Sequence, residues 1–491
     1  MAHLFSRMLA ALALCATFTT HAAPGDLDTT FGSGSGKVIT AIGTGAGTLT
    51  AVTLQPDGKI VAAGGCSSTY DFCLARYLPN GALDTTFNTT GTVITAIVAS
   101  ADFARALALQ PDGKIVVAGT CHNGNNFDFC LARYLPSGAL DTTFNTTGTV
   151  ITVIGSGNDD AYALALQPDG KIVVAGSCYN GSNDDFCLAR YLPGGALDTT
   201  FNTTGKVITA IGASDAAARA LALQTDGKIV VAGSCYNGSN YDFCLARYLP
   251  GGALDLSFNT TGKVVTAIGS SDDHAFALAL QPDGKIVAAG FCINSNEDFC
   301  LARYLPGGAL DTTFNTTGKV ITAIGAGHDR LVALALQPDG KIVTAGACHN
   351  ASDYGFCLAR HHASGALDTN LNTTGKVITD VGARGSLASA LALQPDGKIV
   401  VAGYCDGSSS RDFCVARYEG GPFDARNCSM DVDGDNQTFA TTDGLIAARV
   451  MLGLTGNAVI GGITFASHAT RTTWPAIRDY LVTQCGMSIV P

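Results

Sequence analysis

The chain repeats one unit of about 57 residues seven times, and this periodicity constrains the fold more than any other feature. A Leu-Asp box places its aspartate at Asp28, Asp84, Asp141, Asp198, Asp255, Asp311 and Asp368, in steps of 56 or 57 residues. An Asp-Gly-Lys-Ile-Val box begins at Asp57, Asp112, Asp169, Asp226, Asp283, Asp339 and Asp396. A fixed period of this length marks a supersecondary unit that buries its faces only against neighbouring copies.

One unit reads as four strands. In the second copy these are residues 106–110, 114–119, 129–134 and 149–154. Pro111-Asp112-Gly113 turns the first into the second: proline presets φ, and glycine takes the left-handed position. The second run is apolar almost throughout, which predicts burial on both faces. Four antiparallel strands, several times over, describe propeller blades. The phase of the repeat adds closure. The first strand after the N-terminus, residues 37–42, is of the fourth type, and the last, residues 413–418, is of the third type. In a closed ring the first completes the last blade, which removes two exposed edges. The expected fold is all-β: a seven-bladed propeller of four-stranded antiparallel blades, closed by the N-terminal strand, with a small C-terminal helical module.

The run Leu-Asp-x-x-Phe, Gly-x-Val, Leu-Gln-Pro-Asp-Gly-Lys-Ile-Val-Val-Ala-Gly and Asp-Phe-x-Leu-Ala-Arg-Tyr resembles the bacterial delta-60 repeat family over residues 26–418. It is similar, more loosely, to NHL-type propeller repeats. The resemblance implies an exported, propeller-like protein and no defined activity. A cysteine pair in every repeat departs from the family pattern.

The N-terminus reads as a secretory signal over residues 1–22: Arg7, an apolar run over 8–18, then small residues at Ala22 and Ala23. No later stretch is long and apolar enough for a membrane helix. The 17 cysteines agree with export, because Cys15 leaves with the signal and 16 remain. Fourteen fall as one pair per repeat: Cys66 and Cys73, Cys121 and Cys130, Cys178 and Cys187, Cys235 and Cys244, Cys292 and Cys300, Cys348 and Cys357, Cys405 and Cys414. Each pair is expected to bridge opposed positions of a hairpin. Cys428 and Cys485 bracket the C-terminal segment and make an eighth expected bridge. No histidine recurs beside the pairs, so the spacing does not suit zinc. The protein is expected to be secreted or periplasmic.

A net charge of −11 with 14% charged residues argues against a nucleic-acid partner. Composition changes after Tyr418. Asp431, Asp433 and Asp435 hold alternate positions of a calcium loop, where hard oxygen ligands converge on one ion. The Gln437 carbonyl and Asp443 complete the expected ligand set. This segment, within a module over residues 428–491, resembles the calcium-binding half of a dockerin, a relative of the EF-hand. It departs by closing one residue late and by lacking a second loop. Calcium is the expected cofactor.

In a blade, the fourth–first and second–third loops share one face, here termed the near face. The other two connections share the far face, where the copies are nearly uniform. The near-face loops differ between copies and carry His122, Tyr179, Tyr236, His274, His328, Asp329 and His349, the candidate binding residues. Adjacent carboxylates at Asp159 and Asp160, and at Asp272 and Asp273, suit acid–base chemistry in principle. No nucleophile, base and orienting group assemble around them. Near-identical blades also argue against an active site, which needs different residues from different blades. The seven recurring arginines (Arg76, Arg133, Arg190, Arg247, Arg303, Arg360 and Arg417) are read as repeated structural bonds to an aspartate or a loop carbonyl. The expected role is a non-enzymatic binding or scaffold protein for an extracellular protein or glycan. The alternative from another class is a carbohydrate-active hydrolase or lyase.

Overall fold

The computed structural model describes residues 22–350, 353–407, 410–421, 446, 450, 457–460, 463 and 472–483. Its 28 strands, β1 to β28 in chain order, form seven separate four-stranded antiparallel sheets. In the second blade β6 (Asp102–Leu109), β7 (Ile115–His122), β8 (Phe127–Tyr134) and β9 (Thr149–Thr152) follow one another from the axis outward. Every residue of β7 but the last is buried, as its apolar run requires. The turn after β6 is the expected one: Gly113 has φ +81° and donates to the Gln110 carbonyl at 2.9 Å.

Ring closure follows the phase of the repeat. The seventh sheet runs β26 (Ser386–Leu393), β27 (Ile399–Asp406), β28 (Arg411–Tyr418) and β1 (Lys37–Thr40). Lys37 lies opposite Ala416 and Thr40 opposite Phe413. The N-terminal segment also supplies Asp28, whose carboxylate sits 2.6 Å from Arg417 Nε and 2.9 Å from Lys398 Nζ. The last blade thus receives from the far end of the chain what every other blade finds in its own next loop.

The core is a ring of seven clusters, each shared by two adjacent blades. One joins Val61, Phe72, Leu74 and Phe87 to Ile115, Val117, Cys121, Cys130 and Tyr134. Another joins Val400, Phe413 and Val415 to Phe31, Ile60 and Tyr77 across the closure. Fully burying one such side chain is worth about 1.5–3 kcal/mol, so blade-to-blade packing dominates the stability of the ring. The recurring arginines brace it. Arg133 Nε donates to Asp141 at 2.8 Å, Nη1 reaches the Pro193 carbonyl of the next repeat at 2.5 Å, and the guanidinium lies over Phe144. Those bonds are structural, as their uniform spacing implied.

Seven disulfides lie in these inter-blade cores, one per blade. Their placement corrects the opposed geometry expected from sequence. Cys121 faces Asp128 and Cys130 faces Gly119, so the pair is diagonal, offset by two residues. Strand twist still brings the Cα atoms to 5.8 Å, inside the range a disulfide spans. Both cysteines also lie within strands, because β7 runs on to His122.

Toward the C-terminus, α1 (Asn457–Ile460) and α2 (Trp474–Thr483) are helical. Ile446, Val450, Val459 and Ile477 form a small buried cluster there. The expected calcium ligands Asp431, Asp433, Asp435, Gln437 and Asp443, together with Cys428, Cys485 and residues 1–21, lie outside the described residues. Among the described residues, no helix is long and apolar enough to cross a membrane.

Candidate functional site

The innermost strand is longer than the sequence pattern suggested, and the extra residues build the site. The second copy's first strand starts at Asp102, four residues before the expected start at Ala106. Its register shifts between Ala104 and Ala106, leaving Arg105 as the extra residue of a β-bulge. All seven blades share this bulge, at Thr50, Arg105, Tyr162, Arg219, Phe276, Val332 and Ser389. A glycine in the neighbouring strand makes room for it. A Cβ on Gly119 would meet the Phe103 carbonyl oxygen at 1.9 Å. The corresponding Gly176 and Gly290 would meet Asp160 and His274 oxygens at 1.8 Å. The recurring Ala-Gly of the second strand is therefore the sequence mark of the bulge.

The bulges converge on the axis. The central channel holds a cavity of about 250 Å³ lined by the innermost strands of all seven blades. Six bulge residues line it: Thr50, Arg105, Tyr162, Arg219, Val332 and Ser389. The next position is alanine in every blade, from Ala51 to Ala390, and the one after is leucine in six and Val52 in the first. Uniform small and apolar tiers thus lie beneath a tier in which almost every blade contributes a different chemistry.

Two of those contributions are cationic. The Arg219 guanidinium carbon lies 3.8 Å from the Tyr162 ring centroid and 5.8 Å from that of Phe276. Arg105 lies 6.0 Å from Tyr162 and 5.4 Å from Phe103. Neither arginine has an ion-pair partner among the described residues, and the Nε of each is buried without a hydrogen bond. The ring arginines differ sharply, each holding an aspartate at 2.6–2.8 Å.

Above the channel the near-face residues form an uneven rim. His274 is half-buried. Its ring lies in tilted contact with Phe291 at 5.1 Å and Tyr241 at 5.2 Å, and its Nδ1 sits 3.1 Å from Ser234 Oγ. Burial first, then the nearby Arg219 charge, push its pKa down against the pull of Asp272. Phe276 stacks on Phe291 at 5.6 Å. His122, Tyr236 and His349 pack against Phe127, Tyr241 and Tyr354 at strand ends, and Tyr179 is exposed. His328 is exposed, with Nδ1 3.5 Å from Glu297 Oε2, and Arg330 closes a fork on Glu297 at 2.5 and 2.7 Å. Asp184 is pushed up by burial and then by Asp215 and Asp160, which makes one sector of the rim acidic.

Asp329 does not belong to that rim. It is fully buried, and its carboxylate accepts the Ile324 and Gly325 N–H groups. Asp102, Asp159 and Asp273 do the same in their blades, and burial raises each to about 6. They pin the fourth–first loop. The adjacent carboxylates therefore separate: Asp159 and Asp273 are buried supports, whereas Asp160 and Asp272 lie on the rim, so neither sequence pair forms an acid–base couple. The near-identity of the blades fails at the bulge tier as well as in the near-face loops. Sequence reasoning missed Arg105, Tyr162, Arg219 and Phe276. Their signal was present as the one changing residue inside Ala-x-Ala-Leu. A second hollow, about 650 Å³, lies beside the closure. Its one charged side chain, Lys37, is held by the Asp380 carbonyl.

A seven-bladed ring of four-stranded repeats, with its variable residues gathered at one mouth of the channel, defines a β-propeller repeat protein. The model of a β-propeller domain family of unknown function, DUF5122, matches the chain at residues 55–87, 110–144, 167–201, 224–258, 281–314, 337–371 and 394–420, one segment per repeat. No curated protein matches the sequence. Among solved structures, a catalytically inactive virginiamycin B lyase from Staphylococcus aureus with quinupristin is similar at 9% identity. That match covers 77% of this chain and 98% of that one, with a TM-score of 0.46. An ulvan lyase, described as a new family of polysaccharide lyase, is similar at 10% identity, covering 78% and 96%, with a TM-score of 0.42. A gluconolactonase from Xanthomonas campestris is similar at 11% identity, covering 77% and 100%, with a TM-score of 0.34. At these identities and scores, no activity carries over to this chain.

Proposed function

We propose that this is an exported, non-enzymatic binding protein that engages its ligand through the near face and the channel mouth of a disulfide-braced propeller. One observation carries the reading. Within a single strand, facing a single channel, the bulge tier varies in every blade but the two arginine-bearing ones, while the alanine tier beside it does not vary at all. Drift on a surface acts on both tiers alike, whereas a binding site needs variety only where the ligand sits. Rigid strands hold the tier in place, which lowers the entropic cost of binding.

The reading includes an export signal over residues 1–22, the propeller over 26–418 and a dockerin-like calcium module over 428–491. Fourteen paired cysteines favour an oxidising compartment. The expected partner is an extracellular protein or glycan. A glycan and protein array, screened with the purified chain, tests this. Tyr236→Ala with Tyr241→Ala on the near face should abolish capture, and Leu256→Ser on the far face, 65% exposed, should not. Capture lost only with the far-face change would sink the assignment.

A further inference from the structure

We infer that the channel tier is a site for a small organic carboxylate with an apolar body, held by Arg105 and Arg219 across Tyr162. This deepens the proposed function and rests on the bulge tier being its binding site. Of the 20 residues lining the cavity, the two arginines are the only charged ones, and the rest are alanine, leucine, valine and three hydroxyl-bearing side chains. Two cations without ion-pair partners, set on either side of one ring at the channel mouth, sum their fields there and draw an anion to it. Each guanidinium has a buried Nε with no acceptor, a donor that a native fold rarely leaves unmatched. Guanidinium forks match the two oxygens of a carboxylate, and bidentate pairing is among the stronger hydrogen-bonded contacts.

Other side chains sharpen the ligand class. Tyr162 stands between the two cations in sequence order around the ring, and its face is already set against Arg219 at 3.8 Å. The alanine and leucine side chains beneath add apolar contact, which suits a ligand with an apolar body and its charge at one end. A cavity of about 250 Å³ admits a molecule, or an end group, of benzoate or hexanoate size. Nearby carboxylates lie on the rim at Asp160, Asp184, Asp215 and Asp272, and none pairs with either arginine. They disfavour a highly charged anion entering from the near face and leave a monoanion as the better match.

Isothermal titration calorimetry on the purified full chain tests this, with benzoate and hexanoate as probes, benzyl alcohol as the uncharged isostere and inorganic phosphate as the bare anion. The expected result is one saturable site per chain for the carboxylates, at least tenfold weaker binding of benzyl alcohol and of phosphate, and loss in the Arg105→Gln, Arg219→Gln double variant. Arg105→Lys and Arg219→Lys, which keep the charge without the fork, should each weaken binding by a smaller factor. Circular dichroism and melting confirm that the variants fold. Equal binding of benzyl alcohol would overturn the role of charge, and equal binding of phosphate would overturn the apolar body. No heat with either carboxylate at 10 mM (roughly the weak limit of a specific small-ligand site), or unchanged binding in the double glutamine variant, would overturn the site itself. Array capture that survives the double glutamine variant but not the near-face tyrosine changes leaves the proposed function standing and removes this inference alone.

Discussion

Replacing His361 by tyrosine should stabilise the propeller, and the gain should grow as pH falls. Six blades end the third strand on a buried tyrosine, and four of these donate to a threonine of the preceding blade at 2.9–3.0 Å. The sixth blade carries His361 instead, fully buried, with Nε2 3.1 Å from Thr322 Oγ1 and Nδ1 left without a partner. Burial, aided by the charges of His362 and Lys376, lowers its pKa from 6.5 to about 4. A base depressed on folding contributes stability above its unfolded pKa and loses it as pH falls, because the unfolded chain takes up the proton first. Between pH 7.5 and pH 5 that loss is about 2 kcal/mol, from 1.36 kcal/mol per unit over the interval below 6.5. Removing the unmatched Nδ1 adds about 1–3 kcal/mol at any pH. For a domain this large, 2 kcal/mol is a shift of about 2–3 °C in Tm. The wild-type profile alone does not isolate the effect. Asp102, Asp159 and Asp273, raised to about 6, favour the folded state on acidification and oppose it. The difference in Tm between H361Y and wild type, scanned calorimetrically from pH 7.5 to 5, cancels those carboxylates. A difference that stays flat across that range would refute a depressed His361, whatever its sign.

Four other outcomes are expected. Gly119→Ala should cost about 1–3 kcal/mol through overpacking against the Phe103 carbonyl, read in urea melts, and should weaken benzoate binding more than Gly194→Ala, whose added methyl meets nothing within 4 Å. Mass mapping of the non-reduced protein should find the seven intra-blade bridges and a Cys428–Cys485 bridge; changing Cys121 and Cys130 together to serine should cost about 2–3 kcal/mol for a separation of nine residues. Millimolar calcium should raise the melting temperature of the C-terminal segment, and Asp431→Ala with Asp433→Ala should abolish that rise; calorimetry without calcium uptake would remove the module's assignment. Asp141, Asp255 and Asp311 are held at about 2, where hydrogen bonds and a paired arginine outweigh burial. Their contribution to stability is complete above pH 4 and drains away as pH falls toward 2, so acid unfolding should set in below pH 4, and Asp141→Asn should shift its onset to higher pH.

By itself the sequence determined the ring. A sevenfold period, an apolar second strand and termini cut out of phase leave few closed arrangements, because each blade buries its faces only on its neighbours. Local chemistry was equally legible: Gly113 in its turn, one cysteine pair per blade, and an arginine whose identical setting demanded an identical partner. Tertiary structure decided the site. A bulge is an event between two strands, and the reason for Gly119 became visible only when the Phe103 carbonyl was seen against it. The same register placed Arg105, Tyr162 and Arg219 together on the axis, although 57 residues separate each from the next. It also withdrew Asp329 from the rim, since a carboxylate beside a loop is a ligand or a support according to which N–H groups the fold turns toward it.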